Sequence, residues 1–206
     1  MNTLRGILSG LGLAAAALCA GCWNPPSSTT PPRSYHTVAA EPLRDTEAAK
    51  RHDEAGLRFL ANGQLDQAAE AFSRALAADV EYGPAHNNLG KVYYRKKDAY
   101  KAAWEFEYAG KLLPKHPEPR NNLAMVLEDA GELDRAVDLY RQAVGFDGGC
   151  LEYRANLVRA LIRRGDRTAE VRSLLQQVLQ WDTRPEWRSW AQLQLARLNG
   201  EMDRAK

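Results

Sequence analysis

The sequence predicts an all-α chain, a solenoid of stacked helical hairpins, and three observations predict it. The stretch HNNLGKVYYRKKDAYKAAWEF begins at His86, and RNNLAMVLEDAGELDRAVDLY begins at Arg120, 120 − 86 = 34 residues later. Both copies carry two asparagines, a leucine and a small residue, then Ala102 or Ala136, then an aromatic, Phe106 or Tyr140. A fixed period of this size is the signature of a stacked repeat. Prolines provide the second observation: Pro84, Pro114, Pro117, Pro119 and Pro185 all fall where that frame needs a helix to stop or start. Composition is the third. Apolar residues are 45% and charged residues 26%, so the chain can bury a core, and its Ala, Leu, Arg and Glu content favours helix. A formal charge of +2 is too balanced to argue for general nucleic-acid or membrane-surface binding through charge.

The N-terminal residues are not expected to join this fold. Arg5 precedes an apolar stretch from Ile7 to Leu18, too short for a membrane span and ending in LCAGC. Cys19-x-x-Cys22 has the spacing of a thiol or metal pair, but a pair inside a secretion signal never reaches a folded site. Gly21-Cys22 at the end of such a stretch resembles a bacterial lipobox, although Cys19 stands where these boxes usually carry leucine. The resemblance implies that residues 1–21 are a signal peptide, cleaved before Cys22, with lipid on the Cys22 thiol and new amino group. By the sorting rule of such lipoproteins, Trp23 in place of Asp implies the outer membrane. No twin arginine is present, which implies general secretion. Cleavage removes Arg5, leaving 27 − 26 = +1. With Cys22 blocked, Cys150 has no intramolecular disulfide partner and is expected to be an inert packed thiol.

Residues 22–45 read as a spacer. Five of the ten prolines lie between Trp23 and Asp45, with Ser and Thr among them, and such a run favours extended backbone. At about 3.1 Å per residue it reaches up to roughly 70 Å from an anchor.

Residues 46–184 then hold four repeats, at about 49–82, 83–116, 117–150 and 151–184. Each first helix is expected to end at a turn: Gly63-Gln64, Lys97-Asp98, Gly131-Glu132 and Gly165-Asp166. Glycine past a helix end accepts the left-handed conformation that closes it, and Lys97 is the exception. Small residues mark close approach, with Gly56, Gly90 and Ala124 on the first helices and Ala68, Ala102, Ala136, Ala75, Ala109 and Ala143 on the second. Phe59, Tyr93, Leu127 and Leu161 fill the spaces from one helix, and Phe72, Phe106 and Tyr140 from the other, so that small meets large. The fourth repeat departs twice. One residue is inserted after Gly165, and Val158 replaces the small residue, so looser packing is expected there.

This pattern resembles the tetratricopeptide repeat family over about residues 46–182. The resemblance implies a right-handed α-solenoid whose first helices line a concave groove. Residues 185–206 follow as a capping helix and tail, with Trp187, Trp190, Ala191, Leu195 and Leu198 on one face to cover the last repeat.

Candidates for chemistry are few. Of the histidines, His36 lies in the spacer and His116 at a junction, while His52 and His86 both take the fourth position of their repeats. Two histidines without a third ligand do not make a zinc site. Gly148-Gly149 is a junction turn, and no phosphate loop or nucleophile elbow occurs. The chain is therefore not read as an enzyme, and no cofactor or metal is expected. Arg95-Lys96-Lys97 with Tyr93 and Tyr94 reads as a solvated helix end, favourable to the helix dipole, before it reads as a nucleic-acid site.

The groove is the remaining candidate. Asn88, Asn122 and Asn156 share the sixth position of three repeats, where the family resemblance places them inside the groove. An amide offers both donor and acceptor, so such a ladder can pair with an extended peptide backbone or can bond neighbouring helices, and both readings stay open. With Asn87 and Asn121 beside them, the groove candidates are Lys91, Tyr94, Arg95, Met125, Glu128, Arg159 and Arg163, accompanied by Glu118 and Asp129. Their alternating charge suits a mixed-charge peptide. Glu118 and Glu152 stand where the family's carboxylate clamp needs lysine, which disfavours C-terminal tail binding of that type. The expected function is an outer-membrane, periplasm-facing, lipid-anchored scaffold that binds an envelope protein or peptide segment in the groove, without nucleic acid. Two alternatives accompany it: a lipoprotein assisting type IV pilus secretin assembly, and a structural envelope protein that forms homo-oligomers.

Overall fold

The computed structural model describes residues 44–204, with side chains through residue 200; the signal peptide, Cys22 and the spacer up to residue 43 lie outside the described residues. Among the described residues nine helices follow in order: α1 (Thr46–Ala61), α2 (Leu65–Ala78), α3 (Gly83–Arg95), α4 (Ala99–Leu112), α5 (Glu118–Asp129), α6 (Leu133–Phe146), α7 (Leu151–Arg164), α8 (Ala169–Trp181) and α9 (Pro185–Arg204). The described residues hold no strand, only an isolated bridge between Arg44 and Asp79.

The sequence fixes these ends locally. Asp45 caps α1 by accepting from the Ala48 N–H at 2.8 Å, and Asp98 caps α4 by accepting from Lys101 at 3.2 Å. Pro84 and Pro119 sit in the first turns of α3 and α5, where a missing N–H goes unused. All four hairpin turns close alike. Gly63, Lys97, Gly131 and Gly165 have φ of 73°, 64°, 83° and 101°, and the next residue's N–H bonds back to Phe59, Tyr93, Leu127 or Leu161. The inserted residue shows here: α7 and α8 are joined by four residues, and the other hairpins by three.

Curvature follows from which helices meet. Among the described residues α1 packs on α3, α3 on α5 and α5 on α7, whereas α2, α4 and α6 pack on the first helices alone. The first helices therefore form the inner layer and the second helices the outer.

Within each hairpin a large aromatic fills the space left by a small residue. A Cβ on Gly56 would press into the Phe72 ring, and one on Gly90 would lie 2.6 Å from Phe106 Cε1. Phe72, Phe106 and Tyr140 are buried, each worth roughly 1.5–3 kcal/mol of apolar burial. The fourth repeat is not loosely packed, contrary to expectation. Val158 is fully buried in the same core cluster as Leu161, Val171, Leu175 and Val178. Counted past the insertion, Leu175 takes the place of the aromatic, so a larger first-helix residue meets a smaller second-helix one and volume is conserved. Helix α9 closes the array: Ala191 and Leu198 are buried, and Trp187, Trp190 and Leu195 pack on the same cluster. Residues Ala40–Lys206 form one compact unit with its own core.

Candidate binding groove

The inner face of α3 and α5 brings several expected residues together. Lys91, Tyr94, Arg95, Asn122 and Met125 line a pocket of about 300 Å³ with Phe106 and Glu152. Tyr94 donates to Asp129 Oδ2 at 2.7 Å, and burial together with that bond pushes its phenol up to about 12. Arg95 donates from Nη1 to the Leu60 carbonyl at 3.0 Å, tying the end of α1 to the next repeat. Lys91 makes neither a hydrogen bond nor an ion pair among the described residues; its charge is felt by Asp53. The pocket thus offers one unengaged ammonium, an exposed carboxylate on Glu152, and the apolar surfaces of Tyr94 and Met125 over the buried Phe106.

The asparagines form a stitched ladder. Asn88 Nδ2 donates to Asp53 Oδ1 at 2.9 Å, Asn122 Nδ2 to Asn87 Oδ1 at 2.9 Å, and Asn156 Nδ2 to Asn121 Oδ1 at 3.0 Å. Each sixth-position amide reaches the fifth position of the repeat before it. Asn87, Asn88, Asn121 and Asn156 are buried, and Asn122 alone is half-exposed and borders the pocket. Burial pushes the Asp53 carboxyl above its ordinary value, against the lowering pull of Asn88 and Lys91. The polar fifth position in three repeats was the available signal, visible in the doublets Asn87-Asn88 and Asn121-Asn122.

Glu128 lies beneath the groove, almost wholly buried. Its Oε1 accepts from Arg159 Nε at 2.9 Å and Arg163 Nη1 at 3.0 Å, and its Oε2 from Arg159 Nη2 at 2.7 Å and the Tyr140 hydroxyl at 2.8 Å. Burial alone would push this carboxyl up, but Arg159, Tyr140 and Arg163 outweigh it and hold the group below its ordinary value. Its own burial, and then the same buried anion, push the Tyr140 phenol up. Arg159 also lies over the Trp187 ring at 5.6 Å, linking the cluster to α9.

The histidines part company. His86 is buried, its Nδ1 bonded to Glu105 Oε2 at 2.6 Å and its Nε2 to the Val80 carbonyl at 2.9 Å, whereas His52 is half-exposed. Sequence reading did not find Glu105 as the partner, because it lies 19 residues away on the second helix. No group of three or more metal-ligating side chains occurs among the described residues. In the basic cluster, Lys96 pairs with Asp66 at 2.6 Å and Lys97 makes the left-handed turn. Cys150 is a free, half-exposed thiol preceding α7.

Comparison with known proteins agrees with this geometry. A family model described as TPR repeat matches residues 56–97, and one described as tetratricopeptide repeat matches residues 117–149. No curated protein matches the chain. Among solved structures, pilF of Pseudomonas aeruginosa superposes with a TM-score of 0.67 at 18% identity, over 77% of this chain and 72% of that one. YrrB, described as a TPR protein with an unusual peptide-binding site, gives a TM-score of 0.58 at 22% identity, over 67% and 71% of the two chains. The first TPR of Spaghetti (RPAP3), bound to the HSP90 peptide SRMEEVD, gives 0.58 at 17% identity, over 60% of this chain and 98% of that one. Two matched stretches, hairpins of one geometry and these superpositions agree: the chain carries tetratricopeptide repeats and folds as an array of them.

Proposed function

We propose that the chain is a protein-interaction scaffold, anchored by lipid at Cys22 to the periplasmic side of the outer membrane, that captures an extended segment of an envelope protein. The observation that carries the reading is the inner-face pocket, where Lys91 stands unengaged beside Tyr94, Phe106, Met125 and the opposite charge of Glu152. Such a site accepts a segment presenting an acidic and an apolar side chain a short distance apart. That YrrB and the Spaghetti repeat are described with peptide sites supports a peptide-like occupant. A lipid anchor would raise the local concentration of partners in the same membrane.

Capture from envelope extract tests this with the unmodified chain beside Lys91→Glu and Met125→Glu, folding being checked by circular dichroism. Loss of one common partner from both variants supports the groove; an unchanged set of partners refutes it. If that partner is a secretin subunit, the narrower reading as a pilus-assembly lipoprotein gains. Sedimentation as a strict monomer would remove the homo-oligomer reading.

A further inference from the structure

We propose that the outer face of α4 is a second interaction surface, one that rests on an anionic lipid headgroup layer. Tyr100, Trp104 and Tyr108 follow one another four residues apart and so share one stripe of the helix. Tyr100 is 83% exposed and Trp104 55%. The stripe is braced from behind. Trp104 and Tyr108 stack with centroids 5.5 Å apart and planes 4° apart, and Tyr108 meets the edge of the buried His86 ring at 4.6 Å. At 100° per residue Lys111 falls inside the arc of the three rings, with Lys101 about 20° beyond one edge and Glu107 about 20° beyond the other, and Lys101 lies over the Tyr93 ring at 5.2 Å.

Two other exposed aromatics, Phe146 and Trp181, stand singly, each under an arginine. Arg120 lies over Phe146 at 4.8 Å, and Arg154 over Trp181 at 5.3 Å. The α4 stripe is instead continuous, and a contiguous exposed apolar patch marks a place of contact.

Charge selects the occupant. The chain-wide +2 conceals an uneven distribution: residues 96–116, which leave out the inner-face Lys91 and Arg95, hold five lysines against three Asp and Glu, 5 − 3 = +2, and one of those acids, Glu105, is buried against His86. Tryptophan and tyrosine, with an apolar body and a polar edge, settle at a membrane–water boundary, and lysine stems lie along apolar surface while their ammonium groups reach headgroup phosphates. A lysine near an anionic leaflet is worth about 1 kcal/mol. Lys101 and Lys111 now pair with Asp98 at 3.0 Å and Glu107 at 2.9 Å on the surface. Such exposed pairs hold weakly and release the ammonium readily. No described helix is long and apolar enough to cross a membrane, so the contact is interfacial. Because α4 belongs to the outer layer, docking there leaves the inner pocket open, and the inference does not depend on the groove reading.

Flotation of residues 40–206, the unit with its own core, tests it, with circular dichroism on each sample. The vesicles are phosphatidylcholine mixed with phosphatidylglycerol, and phosphatidylcholine alone. The expected result is binding to the anionic vesicles only, about 10-fold weaker for Tyr100→Ser/Trp104→Ser and several-fold weaker for Lys101→Glu/Lys111→Glu. A blue shift of tryptophan emission on binding should be reduced in Trp104→Phe. Equal binding to phosphatidylcholine alone, wild-type-like binding by the serine variant, or no flotation of the folded unit overturns the proposal. So does a dimer in sedimentation that the serine variant dissolves, which would assign the stripe to protein pairing.

Discussion

Replacing Gly90 by alanine brings opposing effects to one position. The new Cβ would sit 2.6 Å from Phe106 Cε1 and 2.7 Å from Cδ1, whereas carbon atoms prefer about 3.5–4.0 Å. Phe106 is buried and cannot swing into solvent, so about an ångström of displacement must be absorbed by helix α3 or α4. Overpacking of this kind costs about 1–3 kcal/mol. Against it, alanine in a helix interior is favoured over glycine by roughly 0.5–1 kcal/mol. The expected net loss is about 1–2 kcal/mol, read as a lower urea midpoint with unchanged slope and a Tm lower by roughly 2–4 °C per kcal/mol. Gly145 provides the control, since a Cβ there meets nothing within 4 Å, and Gly145→Ala should gain up to about 1 kcal/mol from the same backbone effect. Adding Phe106→Leu to Gly90→Ala moves the pair toward the Val158–Leu175 solution and should recover part of the loss. A Gly90→Ala protein as stable as its parent, or strictly additive effects of Gly90→Ala and Phe106→Leu, would refute the reasoning.

Asp53 should be better as asparagine at neutral pH. Burial raises its pKa, so its charged form is disfavoured by folding, while Asn88 can still donate to an amide oxygen; Asp53→Asn is expected to gain roughly 0.5–1 kcal/mol in urea titration, and any loss contradicts the account. Lys97→Gly removes a left-handed lysine at φ 64° that costs about 1–2 kcal/mol, less about 0.5–1 kcal/mol for glycine's freer unfolded chain; Tm should rise. Glu128 has the opposite sign to Asp53: its folded pKa lies below the ordinary 4.5, so its contribution is present above that pH and fades as pH falls through the depressed value. Urea midpoints of the parent and Glu128→Gln should converge on acidification, and a gap that stays constant to the acid limit would sink the assignment.

The hairpin frame was legible because its causes are local. Period, prolines and turn glycines each act within a few residues, and even Lys97 was visible as the exception to the glycine turn. The insertion after Gly165 was legible too, but the packing beside it was not: Val158 in place of the small residue predicts looser packing, and only its pairing with Leu175 shows volume conserved. At the site, sequence position brought Lys91, Tyr94, Arg95, Asn122 and Met125 to the same inner surface. Position does not reveal depth. Glu128 and Asn121 have the same helical register as surface residues but are drawn inward by Arg159 and Asn156 from the next repeat, partners 31 and 35 residues away. The exposed stripe on α4 was hidden for another reason, since its aromatics at helical spacing look like core until no other described helix is found over the outer layer.

The claim at the centre of this account is that the inner face of α3 and α5 is where a partner lies. A photo-crosslinking amino acid placed at Met125 in the full chain, beside the same group at the exposed outer position Gln142, tests it in envelope preparations. Adducts of one partner from position 125 and none from position 142, lost when Lys91→Glu is added, are the predicted result. Adducts from position 142 alone, or equal adducts from both, would place the partner elsewhere and contradict the account.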